Sequence, residues 1–338
     1  MTAVDIDIRG IEGFLFGGAE DSERATGCTV VVCPAGAVAG VDVRGGGPAT
    51  RETDLLSPDR RIERIHAVVL SGGSAFGLEA ASGVMEYLEG RGIGYDTSAA
   101  RIPIVCGASL FDLIVGDARA RPDRTMGRAA CEQAFSGGHL REGNFGAGTG
   151  ATVGKYLGPA RMMKSGLGFA AVRVEDVKVG AVVAVNAVGD VHDPDTGEII
   201  AGMLSNDGAV ISGMADEIYA AVKSGRDALT GGKDDVVADG MDGISRNTTL
   251  VCVVTNVEMT KPQVCRMATV AHDGIARAVR PAHTSADGDA VFAMASGYVK
   301  ADADAVSCIA ADMAAAAIKR AALAAEPAYG LVSARSFR

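Results

Sequence analysis

The stretch SRNTTLVCVVTN, residues 245–256, constrains the fold more than any other. Leu250, Val251, Cys252, Val253 and Val254 form an unbroken apolar run rich in β-branched residues, which reads as a buried core strand. Asn247, Thr248 and Thr249 stand directly before it, an amide and two hydroxyls at the entrance to that strand. Any fold for this chain must bury the run and accommodate polar groups at its head.

Strands and helices mix along the rest of the chain. Residues 27–43 read as two short strands around the Pro34-Ala35-Gly36 turn. Residues 66–70 read as an apolar strand running into the glycine turn 71–77 and a helix over about 78–89. A strand is expected at 102–105, a helix at 124–135 and a flexible glycine loop at 143–154. Residues 169–174 and 177–185 alternate as an antiparallel hairpin. The pattern weakens over 205–245, whose later half, 225–245, reads as an exposed loop. Thr260-Lys261-Pro262 is a helix start, with apolar positions 264, 267, 268, 271 and 275 on one face. A strand at 290–295 and a helix at 302–325 follow, the latter with an Ala face suited to close packing.

With only 4% aromatic residues, no Trp and 45 glycines, the core must be built from closely packed Ala, Val, Ile and Leu. No repeat or linker divides the chain, so residues 1–338 read as a single domain. The expected architecture is a layered α+β fold with sheets inside and helices outside. The net charge of −10 argues against nucleic acid or an anionic membrane as partner. Seven cysteines without a CxxC pair read as small reduced core residues, and the N-terminus lacks a signal-peptide apolar region. A cytoplasmic protein is the expectation.

Several segments carry candidate chemistry. GTGATVGKY (148–156) is not a phosphate-binding loop, because Thr149 and Tyr156 stand where that motif needs Gly and Ser/Thr. Its Lys155 is either a solvated surface lysine or one that approaches backbone or substrate closely. SGGSAFG (71–77) has a strand–turn–helix setting, so the N–H groups of Gly72 and Gly73 could serve a substrate oxyanion, or the glycines could only permit tight packing. The five histidines show no metal-ligand spacing, and neither metal nor cofactor is expected. In HTSADGD (283–289), Asp287 and Asp289 stand two apart and would face one side of an extended segment. They read either as an acidic turn or as a pair that orients an amine or hydroxyl.

Hydroxyls are weak nucleophiles until a base takes the proton. A threonine at a chain N-terminus can use its own α-amino group, with a pKa of about 7.7–8.0, as that base. Thr248 becomes terminal only if the bond after Asn247 is cut. The alternative for Thr248 and Thr249 is an ordinary hydroxyl pair at a strand edge.

NTTLVCVVTNVEM closely resembles the processing site of the nylon-oligomer (6-aminohexanoate-oligomer) hydrolases, within the L-aminopeptidase D-Ala-esterase/amidase family. LSGGSAFGLEAASGV, PDRTMGRAA, GATVGK, VVAVNAVG and HTSADGD match in the same order, so the resemblance spans about residues 10–325. It implies an N-terminal nucleophile hydrolase with an αββα-type sandwich. It also implies self-cleavage between Asn247 and Thr248 into chains 1–247 and 248–338, which stay associated within a larger homo-oligomer. By the same resemblance Thr248 is the nucleophile and Asn186 the oxyanion-side amide. Lys155 is a site lysine, and Asp287 and Asp289 are the acidic pair; that pair differs from the Ser/Glu pattern of the β-aminopeptidase branch. Where relatives have a tyrosine, in a segment like GASLFD, this chain has Phe111, which cannot donate a hydrogen bond. The implied activity is hydrolysis of amide bonds in small peptides or linear amide oligomers through an acyl-enzyme, without a cofactor. Two other readings stand beside it: an acyltransferase of the ornithine acetyltransferase type, and an unprocessed binding protein.

Overall fold

A computed structural model describes residues 3–137, 140–224 and 247–337. The loop expected at 225–245 lies outside the described residues. Ten strands form one hydrogen-bonded sheet: β1 (Val4–Asp5), β2 (Leu15–Asp21), β3 (Thr26–Val43), β4 (Ala49–Arg51), β5 (Arg64–Ser71), β6 (Val105–Ser109), β7 (Leu167–Val174), β8 (Val177–Asn186), β9 (Thr248–Val257) and β10 (Ala290–Val299). Their order is β1-β7-β8-β9-β10-β3-β5-β6-β4, with β2 pairing beside β3. The helices are α1 (Ala80–Gly90), α2 (Arg124–Phe135), α3 (Ala215–Ser224), α4 (Lys261–Ala278) and α5 (Ala303–Ala324).

The apolar run lies in β9, antiparallel to β8 and parallel to β10, and its two faces meet different layers. Leu250, Cys252 and Val254 pack with Val31, Val68, Leu70 and Cys106 from the far end of the strand path. The path therefore folds over on itself, and this cluster is the core between two sheet layers. Val251 and Val253 point the other way, onto Val264, Ala268 and Ile275 of α4 and Ala314 and Ile318 of α5. On the opposite outer face, Val30, Val32, Ala67 and Val69 pack under α1 and α2 through Val84, Leu88, Ala130 and Ala134. The layers run helix, sheet, sheet, helix.

An unalternating run thus reflects a strand covered on both sides. Leu250 to Val254 are fully buried, and burying each of the larger aliphatic side chains among them contributes roughly 1.5–3 kcal/mol. The Ala face of α5 lets α4 come close: a methyl added at Gly274 would lie 2.2 Å from the Ala311 carbonyl oxygen.

Five expectations change. Residues 27–43 form one strand, not two around a turn: Pro34-Ala35-Gly36 is a bulge where the register to β5 shifts between Val32 and Ala37. Partner strands continue on either side of the bulge, so the chain bends there without reversing. The strand at 102–105 starts later, as β6, because Pro103 interrupts the ladder. The glycine loop at 143–154 is mostly buried, and its glycines serve close approach: a methyl at Gly148 would stand 2.1 Å from Leu167 N. Helix α3 was hidden in the weak region because it lies on the surface, with Tyr219 and Val222 exposed and Ala221 its buried residue. The cysteines are all free, but Cys308 is exposed rather than in the core. No helix among the described residues is long and apolar enough to cross a membrane.

Candidate active site

Thr248 opens β9 and Asn186 closes β8, and the antiparallel register sets the two opposite each other. Both fall on the parity of the inter-sheet face, with Leu250 and Cys252 on one strand and Val182 and Ala184 on the other. Directly opposed residues of an antiparallel pair have Cβ atoms about 4.5–5.5 Å apart. Strand pairing alone therefore brings a hydroxyl and an amide together at the end of the core. Both side chains are buried.

The Thr248 hydroxyl donates to the carbonyl oxygen of Asn247, the residue before it. That oxygen also accepts the Gly288 N–H at 2.8 Å. The Asn247–Thr248 peptide thus has a hydroxyl beside its carbonyl and a backbone donor on its oxygen. Asn247 is held in turn by its Nδ2, which donates to Ala286 O at 3.1 Å. Gly288 has to be glycine here, because a Cβ would stand 2.8 Å from Thr248 Oγ1 and 2.9 Å from Gly47 O.

Lys155 is buried, so the surface alternative for it is corrected. Its Nζ donates to Asn186 O at 2.9 Å and to Asn186 Oδ1 at 2.8 Å. Asn186 Oδ1 also accepts Thr152 N at 3.0 Å. With its oxygen so engaged, Asn186 presents Nδ2 as a donor, one bond going to Phe111 O at 2.9 Å. Burial pushes the Lys155 ammonium down to about 7, against the opposing pull of Asp287 and Asp112. Lys155 therefore changes charge near neutral pH.

Asp287 and Asp289 flank Gly288 and wire the HTSADGD loop to the strand. Asp289 Oδ1 accepts Thr249 N at 2.6 Å, and its Oδ2 accepts His283 N at 3.0 Å and His283 Nδ1 at 2.8 Å. Asp287 accepts Thr284 Oγ1 at 2.6 Å, Thr284 N at 3.0 Å and Val188 N at 3.3 Å. Burial first, and then the Asp289 charge, raise the Asp287 carboxyl above the ordinary range. Asp287, Asp289, Thr248, Asn247, Asn186 and Lys155 thus form one connected cluster.

Gly72 and Gly73 do not join it as donors. Gly72 N bonds Gly27 O at 2.8 Å, and Gly73 N bonds Asp112 Oδ1 at 2.7 Å, so both N–H groups have partners within the protein. Tight packing is their visible role, since a methyl at Gly72 would fall 2.0 Å from Asp112 Oδ2. Phe111 contributes its backbone carbonyl to Asn186, not its ring.

The sequence reading missed four groups: Asp112, Lys164, His283 and Gly288. Asp112 Oδ2 accepts Thr26 Oγ1 at 2.7 Å, which ties the glycine turn to β3. Lys164 is fully buried and donates to the carbonyls of Gly148, Ala151 and Ser165, holding the loop that carries Thr152 and Lys155. Burial lowers its ammonium to about 7. A polar residue in an ordinary sequence context carries no signal of such burial. The spacing of HTSADGD was the only cue for His283 and Gly288.

Burial holds Asp112 neutral up to about 6, above its ordinary 3.8. The folded state therefore binds this proton more tightly than the unfolded chain does. The stabilisation is complete below pH 4 and is lost as pH rises through 6. Asp112→Asn keeps an acceptor for Gly73 and cannot titrate. Relative to wild type, its unfolding free energy is expected to gain up to roughly 3 kcal/mol between pH 4 and pH 7. Denaturant unfolding at the two pH values tests this, and a constant difference would refute it.

The sequence matches peptidase family S58 over residues 6–335. It is 42% identical over 290 residues to an uncharacterized aminopeptidase of Mycobacterium leprae (strain TN), covering 83% of this chain and 74% of that protein. It is 31% identical over 291 residues to the 6-aminohexanoate-oligomer endohydrolase of Paenarthrobacter ureafaciens, covering 83% and 72%. The fold is similar to that of the L-aminopeptidase D-Ala-esterase/amidase from Ochrobactrum anthropi, described as a variant of the Ntn hydrolase fold. The TM-score is 0.66 at 19% identity, covering 99% of this chain and 93% of that one. The layered α+β architecture is accordingly that of an Ntn hydrolase. This chain belongs to peptidase family S58 and is an amide-bond hydrolase.

Proposed function

We propose that the chain cuts itself between Asn247 and Thr248, and that the freed Thr248 then hydrolyses amide bonds of small peptides or linear amide oligomers. The carrying observation is the Thr248 hydroxyl on the Asn247 carbonyl, with the Gly288 N–H on the same oxygen. In self-cleavage Thr248 Oγ1 bonds to the Asn247 carbonyl carbon and the Gly288 N–H steadies the oxyanion. The C–N bond breaks, the hydroxyl proton ends on the Thr248 nitrogen, and water hydrolyses the resulting ester. Chains 1–247 and 248–338 stay together because β9 lies between β8 and β10 with its residues buried.

In turnover the new α-amino group takes the hydroxyl proton while Oγ1 attacks the substrate carbonyl. The Nδ2 of Asn186, directly across the ladder, donates to the developing oxyanion. The proton passes to the leaving amine as the C–N bond breaks, and water frees the acyl group. The likeness to a 6-aminohexanoate-oligomer endohydrolase supports linear amide oligomers as one substrate class. The names of the other relatives support N-terminal residues of peptides as another.

N-terminal sequencing and intact mass of purified protein are expected to show a chain beginning Thr-Thr-Leu. The same preparation is then assayed on a panel of peptide and oligomer amides. A full-length chain that nevertheless hydrolyses them would exclude the mechanism.

A further inference from the structure

Thr248 has to be held within a fraction of an ångström to attack its own peptide and later a substrate, yet its hydroxyl gives no grip for that. The grip comes from the next residue. The Thr249 N–H donates to Asp289 Oδ1 at 2.6 Å, so Asp289 fixes the backbone immediately after the nucleophile. Asp289 follows Gly288, whose N–H sits on the Asn247 oxygen. This one carboxylate therefore ties the backbone just after Thr248 to the backbone just after Gly288, the two residues whose hydroxyl and N–H meet on the Asn247 oxygen.

Asp289 does not hold itself. Its second oxygen is clamped twice by one residue, His283, through the backbone N–H at 3.0 Å and ring Nδ1 at 2.8 Å. A carboxylate can only accept, so the hydrogen bond assigns the ring proton to Nδ1. The double clamp requires an unusual backbone: His283 sits in the left-handed region at φ +59, which non-glycine residues adopt at a cost. Behind the ring stands His272, edge-on with centroids 4.7 Å apart and planes at 76°. His272 is buried, which lowers its pKa, and its Nε2 lies 3.0 Å from Asp42 O. The His283 ring is thus backed by a fixed neighbour.

We infer that His283 is a positioning residue: through Nδ1–H and its own N–H it orients Asp289, and through Asp289 and Thr249 it aligns Thr248 for self-cleavage and for turnover. The inference rests on the Thr248 reading above. It makes a demand specific to one nitrogen. Asparagine places an N–H donor where Nδ1 stands and tolerates positive φ, whereas glutamine places its amide where Nε2 stands and alanine places nothing.

The test measures self-cleavage of freshly translated precursor, and kcat and KM of processed protein on an amide substrate, for wild type and for His283→Ala, His283→Gln and His283→Asn. The alanine and glutamine variants are expected to slow self-cleavage and kcat by about 100-fold, with KM within about threefold, as misalignment does. The asparagine variant is expected to stay within about fivefold of wild type. Wild-type rates in the alanine and glutamine variants would overturn the inference, as would an asparagine variant as slow as they are. Loss of cooperative melting in the alanine and glutamine variants would reduce His283 to a structural role and also overturn it. A wild type that stays whole and inactive sinks the Thr248 reading and this inference with it. A wild type that cleaves, beside an unimpaired alanine variant, sinks this inference alone.

Discussion

Thr248→Ala is expected to purify as one full-length chain and to hydrolyse amides at least about 10⁴-fold more slowly than wild type, the order of loss seen when a covalent nucleophile is removed. Without the hydroxyl, residue 248 offers the Asn247 carbonyl carbon no nucleophile, so on the proposed mechanism neither the cut nor the acyl-enzyme is expected to form. The fold is expected to survive. The substitution removes a hydroxyl and a methyl at the strand's head, while Leu250 to Val254 remain buried on both faces. Thr248→Ser separates chemistry from packing, because it keeps the hydroxyl and loses only the methyl. It is expected to cut itself and turn over, though more slowly. A denaturing gel with intact mass reads the cleavage, and a two-band alanine variant would remove Thr248 from the mechanism.

Asn186→Ala is expected to lower kcat by about 10²–10³-fold with a small change in KM, the loss typical of one oxyanion donor. On the proposed mechanism the donor would act on charge that exists only in the transition state, so ground-state binding is expected to change little. The same substitution takes the Oδ1 acceptor from Lys155 and Thr152, leaving Lys155 its bond to the Asn186 backbone oxygen. Because burial places Lys155 near 7, the pH dependence of kcat is expected to change along with its size. Initial rates across pH 5–9 measure both. Equal losses in kcat and affinity would make Asn186 a substrate contact instead.

The strand under the site was legible because its run has no polar alternation. The helix after it was legible because Thr260, Lys261 and Pro262 start it and its apolar positions recur on one face. Legibility failed where burial was not written in residue type. Lys155 and Lys164 look like surface lysines in one dimension, yet each is buried with its ammonium on buried oxygen atoms. Gly72 and Gly73 resembled an anion cradle, but Asp112, far along the chain, packs against one and takes the N–H of the other. Pro34-Ala35-Gly36 has the residues of a turn, and only the partner strands continuing past it make it a bulge.

By itself, the sequence determined that a core strand begins at the Asn247-Thr248-Thr249 cluster, with Thr248 its first residue in the structure, and that a paired-acid loop precedes another strand. Side-chain alternation along a strand has a period of two residues, so which residues share a face is a local property. It could not determine what stands across from Thr248, because strand register is set by non-local pairing. The tertiary structure decided that, placing Asn186 opposite Thr248, Gly288 on the Asn247 oxygen and His283 behind Asp289.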